Sequence, residues 1–187
     1  MSPDTRAKRD ILRITAFHEA AHAVAQTRLG LTCLQVAIER HGLAGIASHY
    51  DDDMAFATLG ADGVYTIPEQ ASRDMLTTLY SGYCSAIEAG DDEATARIAA
   101  EDDFADADER REKINVSEEE GIAAAFAFVR EPKNWRAIEA VAAELIQQSR
   151  LDSDELAIII EIADGEVEPA DLGTYREMRA LALGPRP

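Results

Sequence analysis

The chain has 187 residues, enough to bury a sizeable core as one domain, and carries 36 acidic against 18 basic side chains for a net charge of −18. Such a balance excludes roles that depend on attraction to polyanions, so neither nucleic acid nor an acidic membrane surface is an expected partner. Two irregularly spaced cysteines, Cys33 and Cys84, exclude a disulfide framework and a cysteine zinc site. The apolar run from Gly121 to Val129 falls well short of the about 20 residues that cross a bilayer, and no signal-peptide core follows the charged first ten residues, so a soluble, cytoplasmic protein is expected.

In chain order, the first predicted element is a long helix from about Pro3 to Leu29, stopped by Gly30. Val36 and Ile38 then alternate with Gln35, Ala37 and Glu39, and Gly45 to Tyr50 has the look of a second short strand. With His41-Gly42-Leu43-Ala44 as the connection, these make a small hairpin or sheet edge. Thr66-Ile67-Pro68-Glu69 has capping-box spacing, predicting a helix from there toward Glu88. One further helix is expected over much of Asp92 to Lys113. Ser117 to Glu120 repeats the capping box ahead of a helix over Ile122 to Arg130. Pro132 opens the next helix, whose Trp135, Ile138, Val141, Ala142 and Leu145 recur at helical spacing and read as core. Asp152-Ser153-Asp154-Glu155 starts another helix, ended by Asp164-Gly165, and a last short helix spans Pro169 to Leu183 before a frayed end. The fold class is therefore mainly α with a small β element.

Within the first helix lies His18-Glu19-Ala20-Ala21-His22. Residues four apart in a helix share a face about 6 Å apart along the axis, so both imidazoles can address one zinc ion. Glu19 between them is placed to take a proton from water that the ion activates, which is the chemistry of a metallopeptidase. The small spacers and apolar flanks Phe17 and Val24 mark this face as buried, where a histidine pair with no partner is costly. Hydrolytic zinc takes three protein ligands, and the nearby HxxGxxH extension of the metzincins is absent. His41 and His49 are possible third ligands; the acidic stretch Glu101-Asp102-Asp103-Phe104-Ala105-Asp106 is the better source, with no choice among its acids from composition.

Thr15-Ala16-Phe17-His18-Glu19-Ala20-Ala21-His22 resembles the Thr-Ala-Tyr-His-Glu-Ala-Gly-His helix of the peptidase domain of FtsH-type ATP-dependent zinc proteases, differing at Phe17 and Ala21. Val36 to Gly45 is similar to the strand and glycine turn that follow it in that family, allowing a one-residue shift. Leu151-Asp152-Ser153-Asp154-Glu155-Leu156 matches the junction of the family's terminal helices. Glu101-Asp102-Asp103-Phe104 is similar to the motif whose aspartate is the family's third zinc ligand, so the resemblance selects Asp103. It covers residues 5–163, with the HExxH segment its specific part. It departs where the family has Gly-Gly-Arg-Ala-Ala-Glu-Glu: here Ser81-Gly82-Tyr83-Cys84-Ser85-Ala86-Ile87-Glu88 keeps one glycine and lacks the arginine. No P-loop, ATPase module or transmembrane segment is found in these residues.

The resemblance implies an FtsH-like zinc peptidase domain over residues 1–165, with 166–187 as a short C-terminal helix and tail. One zinc ion per chain is held by His18, His22 and Asp103, with Glu19 as general base. Unfolded proteins or peptides are the expected substrates, bound in extended form along the strand of Val36 and Ile38 or the one beginning at Gly45. His41, His49, Tyr50 and Tyr83 are candidate donors to a developing oxyanion. Folded substrates would need a separate ATPase partner, and self-association is a further possibility. A catalytically silent peptide-binding or regulatory module of the same fold, docking to a partner, is the alternative; an acidic helical interaction protein without metal is the third reading.

Overall fold

A computed structural model of the chain describes residues 3–39, 45–49, 57–59 and 65–183. Within them are eight helices: α1 (Pro3–Arg28), α2 (Glu69–Glu88), α3 (Glu93–Ala99), α4 (Glu101–Ile114), α5 (Glu118–Arg130), α6 (Pro132–Gln148), α7 (Ser153–Asp164) and α8 (Pro169–Leu183). The strands are β1 (Cys33–Ile38), β2 (Gly45–His49), β3 (Thr58–Leu59), β4 (Tyr65–Thr66) and β5 (Arg150–Asp152). β1, β2 and β5 form an antiparallel sheet in the order β2-β1-β5, and β3 pairs with β4. Among the described residues, no helix is long and apolar enough to cross a membrane.

α1 is the axis of the molecule. Every residue from Glu19 to Gln26 is buried, because α2 and α6 pack on its flanks and β1 and β2 lie across it. A helix buried on all sides needs small residues where its neighbours approach, and Ala16, Ala20, Ala21, Ala23 and Ala25 are fully buried. Ala21, where the resembled family has glycine, packs without exposure. α1 stops as expected: Gly30 takes φ +78°, a conformation that favours glycine, and Leu31 N–H returns to the Gln26 carbonyl at 2.8 Å. α5 and α7 begin with the expected capping boxes, Ser117 with Glu120 and Asp152 with Glu155. The apolar stripe of α6 is core, with Ile138, Val141, Ala142 and Leu145 fully buried.

Three local expectations give way to tertiary structure. Thr66 does not cap α2; it pairs with Thr58 in β4, and the helix opens at Glu69 behind Pro68. A residue preceding proline is driven out of the helical region, so Ile67 cannot serve as the first helical residue that a Thr66 cap requires. The stretch from Asp92 to Lys113 is two helices. Asp92 caps α3 by accepting from Thr95 N–H, and the chain bends at Ala100, which is buried and ends α3 as it starts α4. No glycine or proline marks that bend; burial of Ala96, Ala100, Phe104 and Ala107 on one core sets it. Finally, residues 150–152 form a third strand, with Leu151 opposite Val36. Ser149 at φ +63° ends α6, and Asp152 is both the last ladder residue and the cap of α7.

The sheet order corrects the expected substrate strand. β1 is central, paired on one side to β2 and on the other to β5, and Ile38 N–H is taken by the Ser149 carbonyl at 2.9 Å. Val36 and Ile38 point into the core and are buried, so neither offers a surface or a free ladder edge to a peptide. Among the described residues β2 keeps one edge without a strand partner. α8 forms where expected and docks on the core, with Leu172 buried and the Arg176 guanidinium bridging Glu155 at 2.9 Å and Glu144 at 2.7 Å, while the end expected to fray, residues 184–187, lies outside the described residues.

Candidate metal centre

His18 and His22 stand one turn apart on α1 with their rings edge to face, centroids 4.7 Å apart, and their Nε2 atoms separated by 3.0 Å. The bend at Ala100 puts Asp103 in the first turn of α4, where its Oδ2 lies 3.1 Å from His18 Nε2 and 3.3 Å from His22 Nε2. Three donor atoms from two helices thus form a nearly equilateral triangle. Tetrahedral zinc with bonds of about 2.0–2.1 Å separates adjacent ligand atoms by about 3.3 Å, so the triangle has the dimensions of one face of a zinc site. Asp102, the neighbouring acid, lines the same cleft but is exposed, and it is Asp103 that both imidazoles pair with.

The second nitrogen of His22 fixes what the first can do. Nδ1 lies 2.9 Å from the Thr78 carbonyl oxygen, which only accepts, so Nδ1 carries the proton and donates it. In neutral His22 the Nε2 lone pair therefore faces the triangle, the tautomer and orientation that a metal ligand requires. Thr78 also accepts from the Ser81 hydroxyl at 2.7 Å, which steadies that carbonyl.

Electrostatics agree with the geometry. Burial works against charge on His22, yet the carboxylate of Asp103, its hydrogen bond and Glu19 outweigh it and push the imidazole pKa up to about 9. Burial likewise favours neutral Asp103, but the histidines hold its carboxyl well below the ordinary range. Glu19 is pushed up by burial, with the two imidazoles pulling the other way. The shifts of His22 and Asp103 express the mutual attraction of a carboxylate and a positive group at this point, while that of Glu19 is an effect of burial. A divalent cation can be that positive group, and the donor set of two imidazoles and a carboxylate suits zinc, leaving one position open.

Glu19 is buried and turns toward β2, where Ala47 N–H donates to its carboxylate. Gly45 presses against the same side chain: a Cβ there would come within 2.6 Å of Glu19 Cδ and Oε1. Gly45, expected to meet substrate, thus touches the candidate base. His18, Glu19, His22 and Asp103 all open onto one cavity of about 420 Å³, with Gly45, Ile46 and Ala47 of β2 along one wall and α4 along another. Ile46 projects outward at 56% exposure.

Of the candidate oxyanion donors, Tyr83 faces elsewhere: its ring packs on Phe104 and Phe126, and its hydroxyl reaches Glu93 at 3.4 Å. His41, Tyr50 and the side chain of His49 lie outside the described residues. The sequence carries no mark of Thr78, which acts through its carbonyl, or of Ala47, which acts through its N–H. Gly82 did carry one, a glycine inside a helix, and its place beside both imidazoles gives that mark a meaning.

Compared with protein-family models, curated proteins and solved structures, the chain matches none of them.

Proposed function

We propose that this chain is a zinc-dependent metallopeptidase domain of the FtsH-like kind, with one zinc ion held by His18, His22 and Asp103 and Glu19 as general base. The observation that carries the proposal is the triangle of Nε2, Nε2 and Oδ2 atoms at 3.0–3.3 Å with a buried carboxylate opening onto the same cavity. Zinc bound there supplies Lewis acidity and lowers the pKa of water to about 7. Glu19 receives the proton of the attacking water on its carboxylate and passes it to the departing amine, while Ala47 N–H and the close approach of Gly45 keep the carboxylate turned to the cavity. A purely structural zinc site is more often closed by four protein ligands and has no use for such an acid.

The edge of β2 that has no strand partner among the described residues lies beside the cavity and suits an extended peptide, whose backbone it would hold in register with little demand on side chains. Unfolded proteins and peptides are accordingly the proposed substrates, in a cytoplasmic setting, with folded substrates delivered by a separate ATPase. The test is cleavage of casein by the purified chain and by Glu19→Gln, each with bound zinc quantified. One equivalent of zinc in both forms, with cleavage reduced about 10²- to 10⁴-fold in the variant, supports the proposal. Zinc in both forms with cleavage by neither assigns the chain to the binding-module reading, and no zinc in either removes both.

A further inference from the structure

Gly82 lies in the interior of α2, and its backbone is ordinary: the glycines with positive φ are Gly30, Gly90 and Gly165 among the described residues. Helix geometry therefore gives no reason for glycine, and alanine in its place makes a more stable helix. The reason lies across the interface with α1. A Cβ on residue 82 would stand 2.5 Å from His22 Nε2 and 2.7 Å from both Cε1 and Nε2 of His18. Both nitrogens that face Asp103 are thus among the three atoms nearest to the missing methyl.

Gly121 shows the other kind of helix glycine. A Cβ there would meet the Tyr80 ring at 2.6 Å, and Tyr80 is locked in the core with no exposure, so that glycine serves packing. The groups that Gly82 accommodates are side-chain tips, and His18 is only partly buried, so a methyl can push them aside without moving a helix. What it cannot do is leave both nitrogens in the triangle.

We infer that Gly82 is a positioning residue for the metal centre: it is glycine because the α2 backbone forms the floor on which both zinc-ligating imidazoles rest. The inference rests on the zinc reading of His18, His22 and Asp103, and goes beyond it in assigning residue 82 to metal affinity instead of helix packing.

The experiment measures zinc affinity by chelator competition for the wild type and Gly82→Ala, together with Tm of the metal-free proteins in two backgrounds: native, and with His18→Ala and His22→Ala combined. Gly82→Ala is expected to weaken zinc binding about 100-fold while the metal-free protein stays folded. In the imidazole-free background, where nothing remains to be displaced, the alanine is expected to raise Tm by about 2–4 °C through helix propensity alone. Wild-type zinc affinity retained by Gly82→Ala overturns the inference and leaves the zinc proposal standing. A lowered Tm in the imidazole-free background also overturns it, because the glycine then serves packing. Should Gly82→Ala fail to fold with its histidines present, the imidazole-free comparison still decides. A wild type that binds no zinc removes the underlying reading instead.

Discussion

The middle and the last turn of α1 meet charge in opposite ways. At the last turn, Asp164 is nearly buried, and the chain supplies its cations: Arg28 at 2.8 Å and Lys133 at 3.1 Å. Arg28 also sits where the helix macrodipole favours a positive group. The same holds under α8, where fully buried Glu155 has Arg176. In the middle of α1, the carboxylates of Asp103 and Glu19 converge with two imidazoles, and among the described residues neither carboxylate takes a lysine or arginine partner. A fixed cation closes the structural clusters, whereas under the proposed function zinc would take that place between His18, His22 and Asp103.

The contrast breaks most sharply at Asp103. Asp103→Asn is expected to weaken zinc binding by more than about 100-fold, whereas Asp102→Asn leaves it unchanged, as read by chelator competition. The reverse result would place the ligand one residue away. Arg176→Ala tests the self-sufficient cluster: taking the cation away from fully buried Glu155 should cost about 3 kcal/mol in denaturant unfolding, with zinc stoichiometry unaltered. If that variant loses zinc instead, the two regions are not independent. The three atoms nearest to a Cβ at Gly45 all belong to Glu19, the proposed base, so in Gly45→Ala casein cleavage should fall about 10-fold or more at unchanged zinc content.

The smallest expected effect is a pH dependence at Asp164. Burial alone would raise its pKa, and the hydrogen bonds from Arg28 and Lys133 reverse this and hold it below the ordinary carboxylate value. A depressed folded pKa means that the contribution to stability is full above the unfolded value of about 3.9 and is lost as pH falls below it. Asp164→Asn should lower stability by about 1 kcal/mol at neutral pH, a modest figure because the Lys133 partner stands half in solvent, and flatten Tm against pH between about 4 and 2. An unchanged slope would show that the Arg28 and Lys133 contacts carry no net stabilisation.

Legibility in the sequence followed the range of the forces involved. The end of α1 at Gly30, the two capping boxes and the core stripe of α6 were readable because caps, αL stops and helical spacing act within a few residues. The split at Ala100 was not, since alanine is the best helix former and only its burial bends the chain. β5 was hidden for a related reason: three residues between two helices have too little periodicity to read, and their pairing with β1 is set by tertiary structure. At the site, His18, Glu19 and His22 announce themselves by spacing. Asp103 lies 81 residues from His22, and the residues themselves left it level with its neighbouring acids. Val36 and Ile38 misled because alternation reveals a strand without revealing whether it is central or at an edge.

The central claim is that two imidazoles and one carboxylate hold zinc with a position left open. Zinc K-edge absorption of the purified chain tests it most directly. The account predicts one zinc per chain with only nitrogen and oxygen neighbours at about 2.0–2.1 Å, two of them imidazoles. Cys33 and Cys84, buried thiols with pKa pushed up to about 12, should contribute nothing. Sulfur neighbours at about 2.3 Å, or no zinc at all, would contradict it.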